Sequence, residues 1–146
     1  MKLKFFTLFL FLTFYTFAQS PNEQIKTFFE LYKESPENAV RQLMTKNTVA
    51  KASEANLEKL LVEFRKIDPK IYGKFMGYEL ITEKNVSHTL VMNSYIIKHE
   101  FQPLRFTFTF YKADDEWKVY HFNFDAKFLE EMMEASKLYY QNLNSL

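Results

Sequence analysis

The chain has 146 residues, enough for one domain with a substantial hydrophobic core, and carries 19 Lys and Arg against 18 Asp and Glu. Charges this balanced, with no basic cluster, argue against a nucleic-acid-binding protein. The chain has no Cys, which excludes disulfides, thiol nucleophiles and a cysteine-linked lipid anchor.

Residues 1–18 predict a secretory signal peptide. Lys2 and Lys4 form a basic start, an apolar run follows, and Thr16 and Ala18 place small residues before a cleavage site. The run is shorter than the roughly 20 apolar residues of a membrane helix, which favours cleavage after Ala18 over an uncleaved anchor. Loss of both Lys residues leaves 17 basic and 18 acidic residues, a net charge of −1. We therefore expect a secreted or periplasmic bacterial protein whose mature domain, residues 19–146, has no membrane span.

Three helices are predicted in the first half of the mature chain. The first opens at Pro21 and has an apolar face at helical spacing, formed by Ile25, Phe28, Phe29 and Tyr32. The second begins at Ser35-Pro36-Glu37 and buries Val40, Leu43 and Met44. The third runs from about Ser53 to a stop at Asp68-Pro69, with an apolar face of Leu57, Leu60, Leu61 and Phe64.

Beyond Pro69 the apolar period changes from 3.6 to 2, which predicts four strands at about 74–83, 86–99, 104–112 and 116–125. Gly77 is expected to form a bulge, and residues 83–85 the first turn. The third strand is the clearest, with one face formed by Leu104, Phe106, Phe108 and Phe110. Short turns predict an antiparallel meander. A last helix, 127–142, follows with Asp125 as N-cap and an apolar side of Leu129, Met132, Met133, Ser136 and Tyr140.

This order predicts an α+β fold in which three N-terminal helices pack on a curved four-stranded antiparallel meander, followed by a C-terminal helix. Two stretches, IYGKFMGYELI at 71–81 and RFTFTFYKADDEWKVYHFNF at 105–124, resemble the nuclear-transport-factor-two-like superfamily, the cystatin-like or SnoaL-like α+β cone. Within that superfamily, the chain looks most like small exported bacterial domains that have no assigned function. The resemblance implies a hollow cone but no single function, because members include isomerases, dehydratases, cyclases and binding modules.

No catalytic residue is assigned from the sequence. Gly73 and Gly77 are the only glycines, which excludes GxSxG hydrolases and phosphate loops. His88, His99 and His121 lack ligand spacing, so we expect no metal and no cofactor. His88 and His99 are placed on one strand, facing opposite sides. Asp125 is interpreted as a helix cap and His121 as a sheet-surface residue.

The leading interpretation is a non-enzymatic binding or interaction domain. It would hold a small apolar ligand or a protein partner in the cone, and the ligand-pocket candidates are Tyr78, Tyr95, Phe108, Trp117 and His121. The last helix, which departs from the superfamily's usual ending, could cap the cone, cover a sheet face or build a homodimer. The alternative is an isomerase- or dehydratase-like enzyme in which His121 or a Tyr works with a carboxylate.

The last hairpin has two candidate registers. If Lys112 pairs with Trp117, His121 lies opposite Phe108 and faces the hollow. If Ala113 pairs with Trp117, Phe122 lies opposite Phe108 and His121 joins Thr109 on the other face. The second register is favoured because it makes one face wholly aromatic, with Phe106, Phe108, Phe110, Tyr120, Phe122 and Phe124. It also argues against His121 as a catalytic residue.

Overall fold

A computed structural model describes residues 19–46 and 54–134 of the chain. The helices are α1 (Pro21–Glu34), α2 (Pro36–Lys46), α3 (Glu54–Phe64) and α4 (Pro69–Tyr72). The strands are β1 (Phe75–Ser87), β2 (Leu90–His99), β3 (Leu104–Tyr111) and β4 (Lys118–Asp125), and they form one antiparallel sheet in chain order. A helical segment, α5, covers 128–134. The predicted α+β fold, with its meander and C-terminal helix, is confirmed. The predicted signal peptide, the helix start at Ser53 and residues 135–142 lie outside the described residues.

Helix α1 begins where the local sequence caps it. The Ser20 hydroxyl accepts a hydrogen bond from Glu23 N at 3.3 Å, and the Glu23 carboxylate accepts one from Ser20 N at 2.8 Å. Pro21 occupies the first turn, where its missing N–H costs nothing. The apolar face predicted for this helix is buried, as are Val40 and Leu43 of α2 and Leu57, Leu61 and Phe64 of α3.

Helix α4 was not expected, because Asp68-Pro69 was interpreted only as a helix stop. The same pair also starts a helix: Asp68 Oδ1 accepts a hydrogen bond from Lys70 N at 2.8 Å, and Pro69 fills the first turn. This extra turn of helix sits between α3 and the sheet and helps to shape the site described below.

The turn between β1 and β2 lies at His88-Thr89, so the prediction of a turn at residues 83–85 was wrong. Glu83, Lys84 and Asn85 continue β1 and pair with Asn93, Met92 and Val91. Almost all of β1 is exposed, so this strand carries polar side chains of the kind found in turns. Its backbone nevertheless remains hydrogen-bonded in the sheet. His88 is therefore a turn residue and shares no strand with His99. The expected bulge at Gly77 is present, with a register shift after Phe75 and a Gly77 φ of 130°.

The β3–β4 pairing follows the favoured register over most of its length. Phe108 pairs with Phe122, and Thr109 with His121. After Thr109 the register shifts by one residue, so that Phe110 pairs with Val119, Tyr111 pairs with Lys118, and Tyr120 forms a bulge. This end of the hairpin therefore follows the other register, in which Lys112 lies opposite Trp117, and the expected pairing of Ala113 with Trp117 was wrong. Val119 is 1% exposed and Tyr120 is 66% exposed. The prediction that Tyr120 belongs to the aromatic face was therefore wrong.

The helices cover one face of the sheet, here called the inner face. Phe28 of α1 lies against it, with ring centroids 5.2 Å from Phe108 and 5.7 Å from Phe122. Phe29 lies 5.6 Å from Tyr95. Edge-to-face and stacked rings thus fill the space between α1 and the inner face. The opposite, outer face carries Thr107, Thr109 and His121 and is partly covered by α5.

Candidate functional site

Three of the five pocket candidates come together on the inner face. The Tyr78 ring stacks on Phe29 with centroids 3.7 Å apart, Tyr95 lies 5.7 Å from Tyr78, and Phe108 lies 6.2 Å from Tyr95. Phe108 is fully buried and Tyr95 nearly so. In this arrangement the rings contact one another and contribute to the core.

The other two candidates lie apart from this cluster. Trp117 is half-buried beside the start of α1, where Gln24 Nε2 donates a hydrogen bond to its carbonyl oxygen at 2.7 Å. The Lys112 ammonium lies 6.0 Å from the Trp117 ring centroid. His121 is exposed on the outer face, opposite Thr109. The five candidates therefore do not line one shared cavity.

A hollow of about 540 Å³ opens where α1, the α3–α4 connection and the first hairpin converge. We call it the mouth hollow. Its apolar wall includes Phe64, Ile67 and Phe75. Two polar rings, Tyr32 and His99, also line it, because the antiparallel pairing of Phe75 with His99 brings the start of β1 beside the end of β2. The charged side chains around it are Lys33, Glu37, Arg65 and Lys74.

Two hydrogen bonds connect Tyr32 to His99 and His99 to the Gly73 carbonyl. The Gly73 carbonyl can only accept, so His99 Nδ1 donates to it at 3.3 Å. His99 Nε2 of the neutral ring then accepts from the Tyr32 hydroxyl at 3.1 Å. Gly73 has a φ of 78°, and a Cβ there would lie 2.6 Å from the Glu100 Cβ, so the close approach requires glycine.

Burial shifts both titrating groups toward their neutral forms. Desolvation raises the pKa of the Tyr32 hydroxyl far above its ordinary value of 10.0. Desolvation also lowers the pKa of the His99 imidazole, and the hydrogen bond to Gly73 opposes that shift only in part. The pair is therefore uncharged at neutral pH and fits an apolar hollow.

The charged side chains at the rim of the mouth hollow differ in whether they have an ion-pair partner. Glu37 accepts two hydrogen bonds from Arg65, at 3.0 Å from Nε and 2.6 Å from Nη2, and these bonds lower the Glu37 pKa. Within the described residues, neither Lys33 nor Lys74 has an ion-pair partner for its ammonium group. Counting only the described ranges, the opening therefore carries two positive charges that have no ion-pair partner.

Sequence patterns do not single out this site. Tyr32 falls on the apolar face of α1 and His99 at the end of a strand, and 67 residues separate them. The turn position and helix α4, both of which the sequence prediction missed, are needed to bring them together. The sequence feature that comes nearest to marking the site is His99 at the end of an apolar strand, followed by Glu100. Neither residue has a characteristic spacing from another polar residue.

A second large hollow, about 560 Å³, lies between the outer face and α5. Met92, Ile96, Phe128 and Met132 line it, with Arg105 at its side. Asp125 binds the Arg105 guanidinium at 3.0 Å, and its Oδ1 accepts a hydrogen bond from Lys127 N at 2.9 Å. The first hydrogen bond of α5 runs from Glu131 N to Lys127 O, so Asp125 lies two residues before the N-cap position and its interpretation as the cap of the last helix was wrong. The described part of that helix exposes Leu129, Met132 and Met133.

No protein-family model matches this chain, and no curated protein matches it significantly. None of the helices in the described ranges 19–46 and 54–134 has the length and apolar character needed to cross a membrane. In the same ranges, no three His, Asp or Glu side chains form a group that could hold a metal ion.

Proposed function

We propose that this chain is a small exported binding domain, without catalytic activity, that holds a ligand in the mouth hollow. The observation that supports this most is the neutral Tyr32–His99 pair inside a largely apolar hollow of about 540 Å³. Ligand pockets are typically about 300–1,000 Å³, mostly apolar, with a few fixed polar groups that orient the ligand. The mouth hollow has each of these properties.

The proposed ligand is a compact apolar molecule with an acidic group. Its body would lie against Phe64, Ile67 and Phe75, where burial of apolar surface drives binding. The Tyr32 oxygen donates its hydrogen to His99 and keeps a lone pair for a donor on the ligand. Lys33 and Lys74 at the opening, which have no ion-pair partner in the part of the chain that the structure describes, favour an anionic group there.

The alternative is an isomerase- or dehydratase-like enzyme that uses the same pair. It is favoured by the low pKa of His99, which keeps the imidazole in its basic form at neutral pH. Two contacts weigh against it: both ring nitrogens are occupied, and the Glu37 carboxylate is bound by Arg65. The binding domain is therefore preferred.

Native mass spectrometry of the protein isolated from the exported fraction of its own host tests the proposal. We expect a small molecule bound to the mature chain. Lys33→Trp places an indole at the opening and should abolish retention. Lys26→Trp makes the same substitution two turns earlier on the exposed side of α1 and should leave retention unchanged. Loss in neither variant, or no bound molecule in the unaltered chain, would contradict the mouth hollow as the site.

The enzymatic alternative predicts a different outcome from the same material. Incubated with the recovered molecule, an enzyme would change its structure, and His99→Gln would stop the change while the molecule still binds. A binding domain returns the molecule unaltered with either residue at position 99. Chromatography of the released molecule before and after incubation separates the two functions.

A further inference from the structure

A cleft surrounds Trp117 at the end of the β1–β2 hairpin opposite the mouth hollow. It consists of two adjoining hollows, about 370 Å³ and 160 Å³, that share Asn85, Val91 and Trp117. We call it the Trp117 cleft. The remaining lining residues are mostly polar and include Asn22, Glu83 and Asn93. No step of the proposed function uses these residues.

Asn93 lines the smaller hollow, and within the described residues one of its polar atoms has no hydrogen-bond partner. The residue is 0% exposed, and its Nδ2 donates to Asn22 Oδ1 and to Glu83 Oε2, both at 3.3 Å. Its Oδ1 is buried and accepts no hydrogen bond within the described residues. A buried acceptor left unpaired destabilises the fold, and Asn93 lines the smaller hollow, so a ligand donor that reaches this oxygen would be stabilised.

The backbone of Trp117 is held in place by a hydrogen bond from a buried side chain. Gln24, nearly fully buried, donates from Nε2 to Trp117 O at 2.7 Å and to Gln19 O at 3.1 Å. The indole therefore stands on an anchored segment and needs little reordering to bind. Its ring offers an apolar, polarisable surface beside the amides of Asn22 and Asn85.

These groups together fit one class of ligand. Side-chain amides donate and accept, the Glu83 carboxylate accepts, and Asn93 Oδ1 accepts, which matches a molecule that presents several hydroxyl groups. An indole beside them matches C–H groups on the same molecule. A single carboxylate among amides is a poor set for a divalent cation, which prefers more carboxylate ligands. We propose that the Trp117 cleft binds a saccharide unit.

Trp117 fluorescence tests this directly, because it is the only Trp of the chain. The mature chain is titrated with the methyl glycosides of glucose, galactose, mannose and N-acetylglucosamine. We expect at least one to produce a saturable change in emission by about 10 mM, where even millimolar binding is nearly complete. Asn85→Ala and Glu83→Gln change exposed side chains of β1 and should weaken that binding at least tenfold without unfolding the domain.

The control is Asn38→Ala, an exposed amide of α2 outside the cleft, which should bind as the unaltered chain does. The proposal is overturned if none of the glycosides changes the emission. It is also overturned if binding is unaffected by both cleft variants, or if only added Ca²⁺ produces a response that they remove. None of these outcomes depends on whether the mouth hollow holds a ligand.

Discussion

His99 sits at the end of β2, where its ring accepts a hydrogen bond from Tyr32 and donates one to the Gly73 carbonyl. Charging the ring would remove the acceptor that Tyr32 needs and would place a cation beside the apolar wall of Phe64 and Phe75. Desolvation consequently lowers the His99 pKa below its ordinary value of 6.5.

This shift predicts a pH dependence of stability. The unfolded chain takes up the His99 proton before the folded chain does, so stability is complete above about pH 6.5 and falls as the pH drops toward the folded pKa. His99→Gln should reduce the fall in stability between pH 7.5 and pH 5, measured as the decrease in the urea midpoint of unfolding. His121→Gln, at an exposed position, should leave the loss as it is. Equal loss in all three proteins would show that folding does not lower the His99 pKa.

The aromatic pocket candidates predicted which face of the sheet is apolar but not where a cavity lies. Aromatic residues at strand spacing predict an apolar face, and Phe108 and Tyr95 do lie on the inner face. Whether such a ring lines a cavity or packs against another ring depends on what α1 places opposite it. Phe28 and Phe29 fill that space, and no property of the strand sequence contains that information.

At the scale of elements, β4 combines a predicted register with a local exception. The pairing of Phe108 with Phe122 follows from burying the aromatic face, since a one-residue slip would turn it outward. Because of the bulge at Tyr120, the β4 residues before it point to the opposite face of the sheet from the one that the unshifted register would give. As a result Val119, and not Tyr120, enters the core.

This exchange predicts unequal costs for two neighbouring substitutions. Val119→Ala removes buried methyl groups and should lower the free energy of unfolding by about 2 kcal/mol. Tyr120→Ala removes a larger but exposed side chain and should cost less than about 1 kcal/mol. Urea denaturation of both variants provides the measurement. The opposite ranking would mean that the hairpin keeps its unslipped register through Tyr120.

On the scale of the whole molecule, the described core begins with α1. Ser20 and Glu23 cap the helix, Gln24 connects it to Trp117, and Phe28 anchors it to the sheet. A chain that begins at Gln19 retains all of these contacts.

We therefore expect the chain from Gln19 to unfold in one cooperative transition, with coincident circular dichroism and Trp117 fluorescence curves. A chain that begins at Ile25 lacks the cap and the Gln24 contact and should be at least about 1 kcal/mol less stable. Failure of the Gln19 chain to fold would place residues 1–18 in the domain and contradict a cleaved signal peptide.

By itself, the sequence determined the order of the three longer N-terminal helices and the four strands and most of the faces they bury, because the 3.6 and 2 periods of apolar residues are local properties of the chain. Only the tertiary structure decided the turn at His88-Thr89, the bulge at Tyr120 and the two sites. Tyr32 meets His99 across 67 residues, and Asn22 meets Asn93 across 71. Contacts at that separation depend on how α1 docks on the sheet and on strand register, which no local pattern specifies.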